Sequence, residues 1–476
     1  MLFNSFEFLF FLPIVSILFF LLPHQFRIIF LLVVSCIFYC YFIPIYLLLL
    51  LFIIVVDYFA GIKIEDNLTY KKYWLIFSIT ANLGILAIFK YYNFFITNFN
   101  ELFGTSHYLL KIILPIGLSF HTFQAMAYTI EVYRGKVKAE RSISTYALYV
   151  LFYPQLVAGP IERPQNLLPQ FHKKQIFSSL NLLTGLRLIL WGYFKKLVIA
   201  DNLSQIVDEV YKAPLHFQWY IVLLSIFAFS IQIYCDFSGY TDIARGSAKI
   251  VGIDLMINFN RPLLANSIRN FWQRWHISLS TWFRDYVYIP LGGNKKGKAK
   301  QMLLIFIVFT LSGFWHGAGW NFIIWGGIHA FFLILSTSIV SKKITNKFLE
   351  NSNLIVNGIK IIFVNIIVAY AFVFFRNDSI INGFNIIKQS INLNSNSKLD
   401  QFPVAMNTVI PQFGNYTLLA LFFYIIFLFL FEYKNDASIT KMNKYPIIDT
   451  VWFAFVFISI FFYGVFTKES FIYFQF

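Results

Sequence analysis

Long apolar runs separated by short polar breaks recur from one end of the chain to the other. They lie near 8–22, 28–59, 73–89, 109–133, 143–158, 180–199, 218–236, 302–314, 320–340, 359–375, 416–432 and 451–466. A helix needs about 20 mostly apolar residues to cross a bilayer. The run 28–59 holds enough residues for two helices, with Pro44 as the break. Several other runs are short or carry polar residues. The pattern therefore predicts about 11 membrane-embedded helices with re-entrant pieces between them. The expected fold class is an all-α polytopic membrane protein.

The ends and the middle of the chain differ. Residues 8–59 and 416–466 are cleanly apolar and read as lipid-facing scaffold. The stretch from 115 to 330 mixes apolar runs with His, Asp, Arg, Gln and Trp. Ionisable groups at membrane depth are costly and usually face a bundle interior or a wet cavity. The working part of the molecule is therefore expected in the middle. The organisation read from this is a single integral membrane domain over 1–476, with N-terminal scaffold helices (1–100), a core (109–340) and C-terminal scaffold helices (355–476). No transporter-like internal repeat is visible.

Composition sharpens the membrane reading. Hydrophobic residues make up 58% of the 476 and charged residues only 13%, against about 25% charged in soluble domains. The 60 Phe match an AT-rich codon bias, so Phe runs carry no functional weight. The formal charge is +16, which fits basic loops facing the cytoplasm and anionic headgroups. No nucleic-acid motif accompanies it, so no nucleic-acid partner is expected. The N-terminal run lacks a basic n-region and a small-residue cleavage pattern, and reads as an uncleaved first span. Cys36, Cys40 and Cys235 lie in apolar runs and read as small buried hydrophobes.

The first candidate for chemistry is TLSGFWHGAGWNFIIWGGIHA (310–330). His316 lies in an apolar segment with Trp315, Trp320 and Trp325, and Gly313 with Gly317 allows close helix approach. Burial would keep the imidazole neutral, with one nitrogen able to accept a proton. The segment alone fits a general base and a hydrogen-bonded core histidine equally. His329 reads as core. The second candidate is IRNFWQRWHISLSTWFRDYVYIPLGG (268–293), aromatic, basic and too polar to span freely. It should lie at an interface or re-enter the membrane. There His276 reads as a second chamber histidine, with Arg274 and Arg284 placed for an anionic cofactor. The competing reading is an interfacial helix with an aromatic belt. The basic loop GGNKKGKAK (292–300) adds Lys295 and Lys296. Asp242 and Arg245 read as a structural i,i+3 pair. His121, Gln124 and Glu131, and the rigid turn GPIERP, fit either a cavity wall or scaffold. Ligand spacings for a metal are absent, as are a nucleophile elbow, a P-loop and an H-E-x-x-H pattern.

Taken in order, several segments resemble the membrane-bound O-acyltransferase family, in its bacterial branch typified by the membrane subunit of alginate O-acetylation. They are MLFNSFEFLF, LVAGPIERP, YCDFSGYTDIARG, NFNRP, FWQRWHISLSTWFRDYVYIPLGG, SGFWHGAGWNFIIWG, VFFRNDSIINGF and FIYFQF. The resemblance covers almost the whole chain. It implies a ring of helices around a central funnel, a catalytic histidine at His316 and a second polar position at His276. It also implies acetyl-CoA as the thioester co-substrate. Trp315 and Asn321 read as further residues on the cofactor side, and a Trp or Asn321 would be the local donor to the oxyanion. The acceptor would be a periplasmic or surface polysaccharide, such as an alginate-like exopolysaccharide or peptidoglycan. The site would be the bacterial cytoplasmic (inner) membrane, with a serine-hydrolase-like acetyltransferase as partner. Two other functions fit the same features: D-alanyl transfer to teichoic acid, and a transporter or flippase without bond chemistry.

Overall fold

A computed structural model describes residues 1–157, 159–295, 297–338, 354–393, 415–434, 446–466 and 471. Every regular element among them is helical. Six helices are long and apolar enough to cross a membrane, and three shorter apolar helices accompany them. The protein is a multi-pass membrane protein.

The chain forms two compact units. The first takes Met1–Trp191 and Tyr240–Met256. Its helices are α1 (Phe6–Leu21), α2 (His24–Cys40), α3 (Tyr46–Asp66), α4 (Lys71–Leu86), α5 (Tyr92–Phe103), α6 (Leu118–Tyr133), α7 (Ile143–Leu151), α8 (Pro164–His172) and most of α9 (Ser179–Tyr193). The run 28–59 divides as expected, with α3 starting just after Pro44. Two expected spans are shorter than the apolar pattern implied. The run from 109 becomes helical only after Gly117, whose φ of 75° sets a left-handed start. The run 143–158 leaves the helix at Leu151 and turns through 153–157, because Pro154 has no amide hydrogen and its ring would clash with the Val150 carbonyl in a continued helix.

Several polar groups buried in this unit are paired within it. Asp57 accepts from Ser78 and Asn82 at 2.6 and 2.8 Å. Glu162 of the GPIERP turn accepts from the Met256 amide at 2.5 Å and from Asn166 at 2.7 Å. Asp242 and Arg245 pair at 3.1 Å, as their spacing predicted. Gln124 donates to the Tyr149 carbonyl, and Glu131 pairs with Arg134 at 3.0 Å.

The second unit takes Gly192–Gly239 and the described residues from Ile257 onward. It contains α10 (Asp201–Lys212), the greater part of α11 (Trp219–Ile250), α12 (Ile268–Trp272), α13 (Ile277–Phe283), α14 (Lys298–His316) and α15 (Trp320–Ser338). It continues with α16 (Leu354–Arg376), α17 (Ile380–Ser390), α18 (Asn415–Lys434) and α19 (Pro446–Tyr463). α14 and α15 form its tightest hairpin. A Cβ on Gly313 would sit 2.1 Å from the Phe322 carbonyl oxygen, and one on Gly326 would sit 2.2 Å from that of Phe309. Only glycine permits such backbone contact.

Within this unit Lys196 is buried between two carboxylates, 2.7 Å from both Asp201 and Asp236. The basic loop is shorter than the sequence implied, since Lys298 and Lys300 belong to the first turn of α14. Lys296 lies outside the described residues.

Candidate active site

His316 is the last residue of α14 rather than a mid-helix residue. Gly317 follows in extended conformation and ends the helix. The imidazole is buried, at 4% exposure. Aromatic rings from three elements enclose it: Trp315 at 4.9 Å, Trp325 of α15 at 5.1 Å and Phe375 of α16 at 5.3 Å between centroids. The Gly313 contact sets the α14–α15 spacing that brings Trp325 against it.

His276 comes to the same place from a segment that is not one helix. Ser267 caps α12 by accepting from the Asn270 amide. The chain then breaks at His276, whose φ of 42° is left-handed, before α13 begins. The segment is therefore two short helices rather than one. The break places the His276 ring 6.3 Å from that of His316. His276 is fully buried, and burial holds its pKa well below the ordinary imidazole value. Phe237, Phe259 and Trp315 also contact the ring.

Asn258, in the NFNRP segment, organises the break. Its backbone carbonyl accepts from the Ile277 amide at 2.9 Å. Its side-chain oxygen accepts from the Ser278 amide at 3.2 Å and the Ser278 hydroxyl at 2.9 Å. The same oxygen lies 3.2 Å from Nδ1 of His276.

Beside this cluster a pocket of about 500 Å³ is lined by Arg269, Gln273, Ser280, Arg284, Gln301 and Ser312, among others. It reaches Ser312, four residues before His316. Trp272 in its wall packs on Trp325 at 5.8 Å, and Trp325 packs on His316. Two arginines and several neutral polar groups suit an elongated anionic ligand.

The profile of MBOAT, the membrane-bound O-acyltransferase family, matches residues 136–376. A peptidoglycan O-acetyltransferase of Helicobacter pylori is 36% identical over 429 residues, covering 83% of this chain and 80% of that protein. The chain belongs to the membrane-bound O-acyltransferase family. A protein of Pseudomonas putida described as a probable alginate O-acetylase is 36% identical over 395 residues, 80% of this chain and 78% of that protein. A teichoic acid D-alanyltransferase of Bacillus subtilis is 32% identical over 230 residues, 46% of this chain and 58% of that protein. The protein is accordingly a membrane O-acyltransferase, and His276 and His316 both lie inside the region that the family profile matches.

The structure of this O-acyltransferase gathers some of the sequence-predicted site residues and not others. His316, His276 and Trp315 meet in one cluster. Arg284 lines the adjacent pocket, where its Nε also bonds Asp285 at 2.8 Å. Arg274 and Lys295 are not among the pocket-lining residues. Asn321 donates to the carbonyls of Phe374 and Asn377, at 3.3 and 2.7 Å, and so ties α15 to the end of α16. His329 stacks parallel on Phe271 and meets Trp272 and Trp325 edge to face, a core position as its sequence context implied. Asn258, Arg269 and Phe375 were not picked out from the sequence. Asn258 stood in a recognised motif, but nothing in its spacing pointed to His276, 18 residues away.

Proposed function

We propose that this O-acyltransferase moves an acetyl group from acetyl-CoA towards hydroxyls of a periplasmic or surface polysaccharide, from the bacterial cytoplasmic membrane. The observation that carries the proposal is the buried pair of imidazoles, His316 and His276, beside an arginine-lined pocket. The pocket receives the phosphate-bearing part of the donor near Arg269 and Arg284, with the thioester directed towards His316. His316 takes the proton of the incoming hydroxyl as its oxygen attacks the thioester carbonyl. The tetrahedral intermediate then collapses, the C–S bond breaks, and the imidazolium returns the proton to the leaving thiolate. The Trp315 indole, adjoining both imidazoles, supplies a donor towards the oxyanion.

The acceptor hydroxyl belongs either to the polymer itself or to a serine-hydrolase-like partner that completes the transfer. Acetyl is favoured over D-alanyl because the peptidoglycan and alginate relatives match far more of the chain than the D-alanyltransferase does.

The test uses the full chain in nanodiscs with acetyl-CoA and a polysaccharide acceptor. Thiol release and labelled polymer are expected. Turnover of a D-alanyl carrier-protein thioester with acetyl-CoA left intact would transfer the assignment to the other branch. Transport of either compound without thioester loss would remove the enzyme mechanism.

A further inference from the structure

Asn258 has a chemical consequence for His276 beyond holding the chain. Its side-chain amide could in principle present oxygen or nitrogen to the imidazole, because the two ends are similar in shape. The Ser278 amide settles the choice. A backbone N–H only donates, and it points at the same Asn258 atom, at 3.2 Å. That atom must be the oxygen. An amide oxygen only accepts, so the Nδ1 atom of His276, 3.2 Å away, carries a hydrogen. In the neutral ring the other nitrogen, Nε2, is then the acceptor.

The left-handed backbone at His276 is held by the same residue. Ile277 and Ser278 donate their amides to the carbonyl and side-chain oxygens of Asn258, and Asn258 is itself fully buried. A left-handed conformation is uncommon for a residue other than glycine and persists where its surroundings over-determine it. Rotation of the ring would break a contact that has no solvent to replace it.

We infer that Asn258 is a positioning residue for acyl transfer, fixing His276 as the Nδ1–H tautomer with Nε2 as its hydrogen-bond-accepting atom beside the base His316. The inference rests on the proposed participation of His276 in the reaction. Division of labour follows from it. His276 enters each turnover able to accept a hydrogen bond at Nε2, from the substrate hydroxyl or from the His316 ring.

His316 on α14 is a titratable group against His276. Phe237 from α11, Phe259 and Trp315 present uncharged rings. Asp236, next to Phe237, is held by Lys196, and Arg274 is the nearest charged residue on His276's own segment.

The experiment compares wild type, His276→Ala, Asn258→Leu and Asn258→Asp, each as the full chain in nanodiscs, reading kcat, KM for acetyl-CoA and the pH profile. Asn258→Leu removes the acceptor, and a loss of about tenfold or more in kcat is expected, with KM little changed. Asn258→Asp keeps an acceptor oxygen and adds negative charge beside the ring, which favours the imidazolium. His276 accepts at Nε2 only when neutral, so activity is lost as pH falls through its pKa. A raised pKa therefore moves the acid limb to higher pH, by about one unit or more, while activity above that limb is retained. If His276→Ala is inactive but Asn258→Asp gives the wild-type pH profile, the positioning role is overturned. If His276→Ala retains full activity, the prior assignment of His276 fails instead. Because Asn258→Asp preserves the hydrogen-bond geometry, misfolding of Asn258→Leu does not leave the question open.

Discussion

The imidazoles of His276 and His316 lie 6.3 Å apart between ring centroids, although 40 positions separate them in the chain. A helix end delivers one and a left-handed break delivers the other. Groups that act as a unit in one transition state give strongly non-additive losses when removed. His276→Ala and His316→Ala are each expected to lower kcat severely. The double variant should be no worse than the worse single variant by more than a few-fold. Multiplicative losses, measured with the same donor and acceptor, would show two independent contributions instead.

The pocket beside the pair makes an electrostatic prediction. Replacing Arg269 and Arg284 together by alanine should raise KM for acetyl-CoA by about tenfold, equivalent to about 1.4 kcal/mol, with kcat less affected. Wild-type KM should also rise with salt, and the double variant should lose most of that dependence. Equal salt dependence in the two proteins would place the phosphates elsewhere.

The α14–α15 contact offers a paired test of packing. Gly313→Ala forces a methyl group to within 2.1 Å of the Phe322 carbonyl oxygen. Overpacking of this kind costs about 1–3 kcal/mol, and it should also displace Trp325 from His316. Gly327→Ala on the same hairpin meets its nearest neighbour, the Phe306 ring, only at 4.0 Å and should be neutral. Thermal unfolding in detergent compares them, and equal midpoints would contradict the tight-contact reading.

Lys196 should be a structural cation. Lys196→Met leaves Asp201 and Asp236 buried without the ammonium that bridges them. Breaking such a cluster by removing one partner typically costs about 3–5 kcal/mol. A large fall in folded yield and unfolding temperature is expected, and restoring balance with Lys196→Met/Asp236→Asn should recover part of it. An unchanged midpoint for Lys196→Met would count against the cluster's role.

The membrane class was legible in the apolar runs because hydropathy acts residue by residue, without tertiary information. The split at Pro44 was legible for the same local reason. Helix ends were harder to place. The apolar pattern does not record that Gly117 starts α6 or that α7 stops at Leu151, since buried apolar loops and helices share composition. His316 stood out because an imidazole in an apolar segment is rare, and family resemblance raised it above the core alternative. His276 was visible as a candidate, yet its left-handed backbone was not, because the segment around it reads as a helix. Asn258 was invisible as a site residue. Its role arises from three hydrogen bonds to one oxygen, which only the folded chain brings together. Asn321 shows the converse: its amide, read from the sequence as a local donor, bonds carbonyls at the end of α16, a contact that spacing along the chain does not record.

The most direct test of the central claim is acetyl transfer by wild type and His316→Ala in nanodiscs, with both proteins shown to be folded and to bind acetyl-CoA. The expected result is donor binding within a few-fold of wild type and a loss of transfer of at least about 100-fold, the lower range for removing a general base. Transfer by His316→Ala at the wild-type rate would contradict the account.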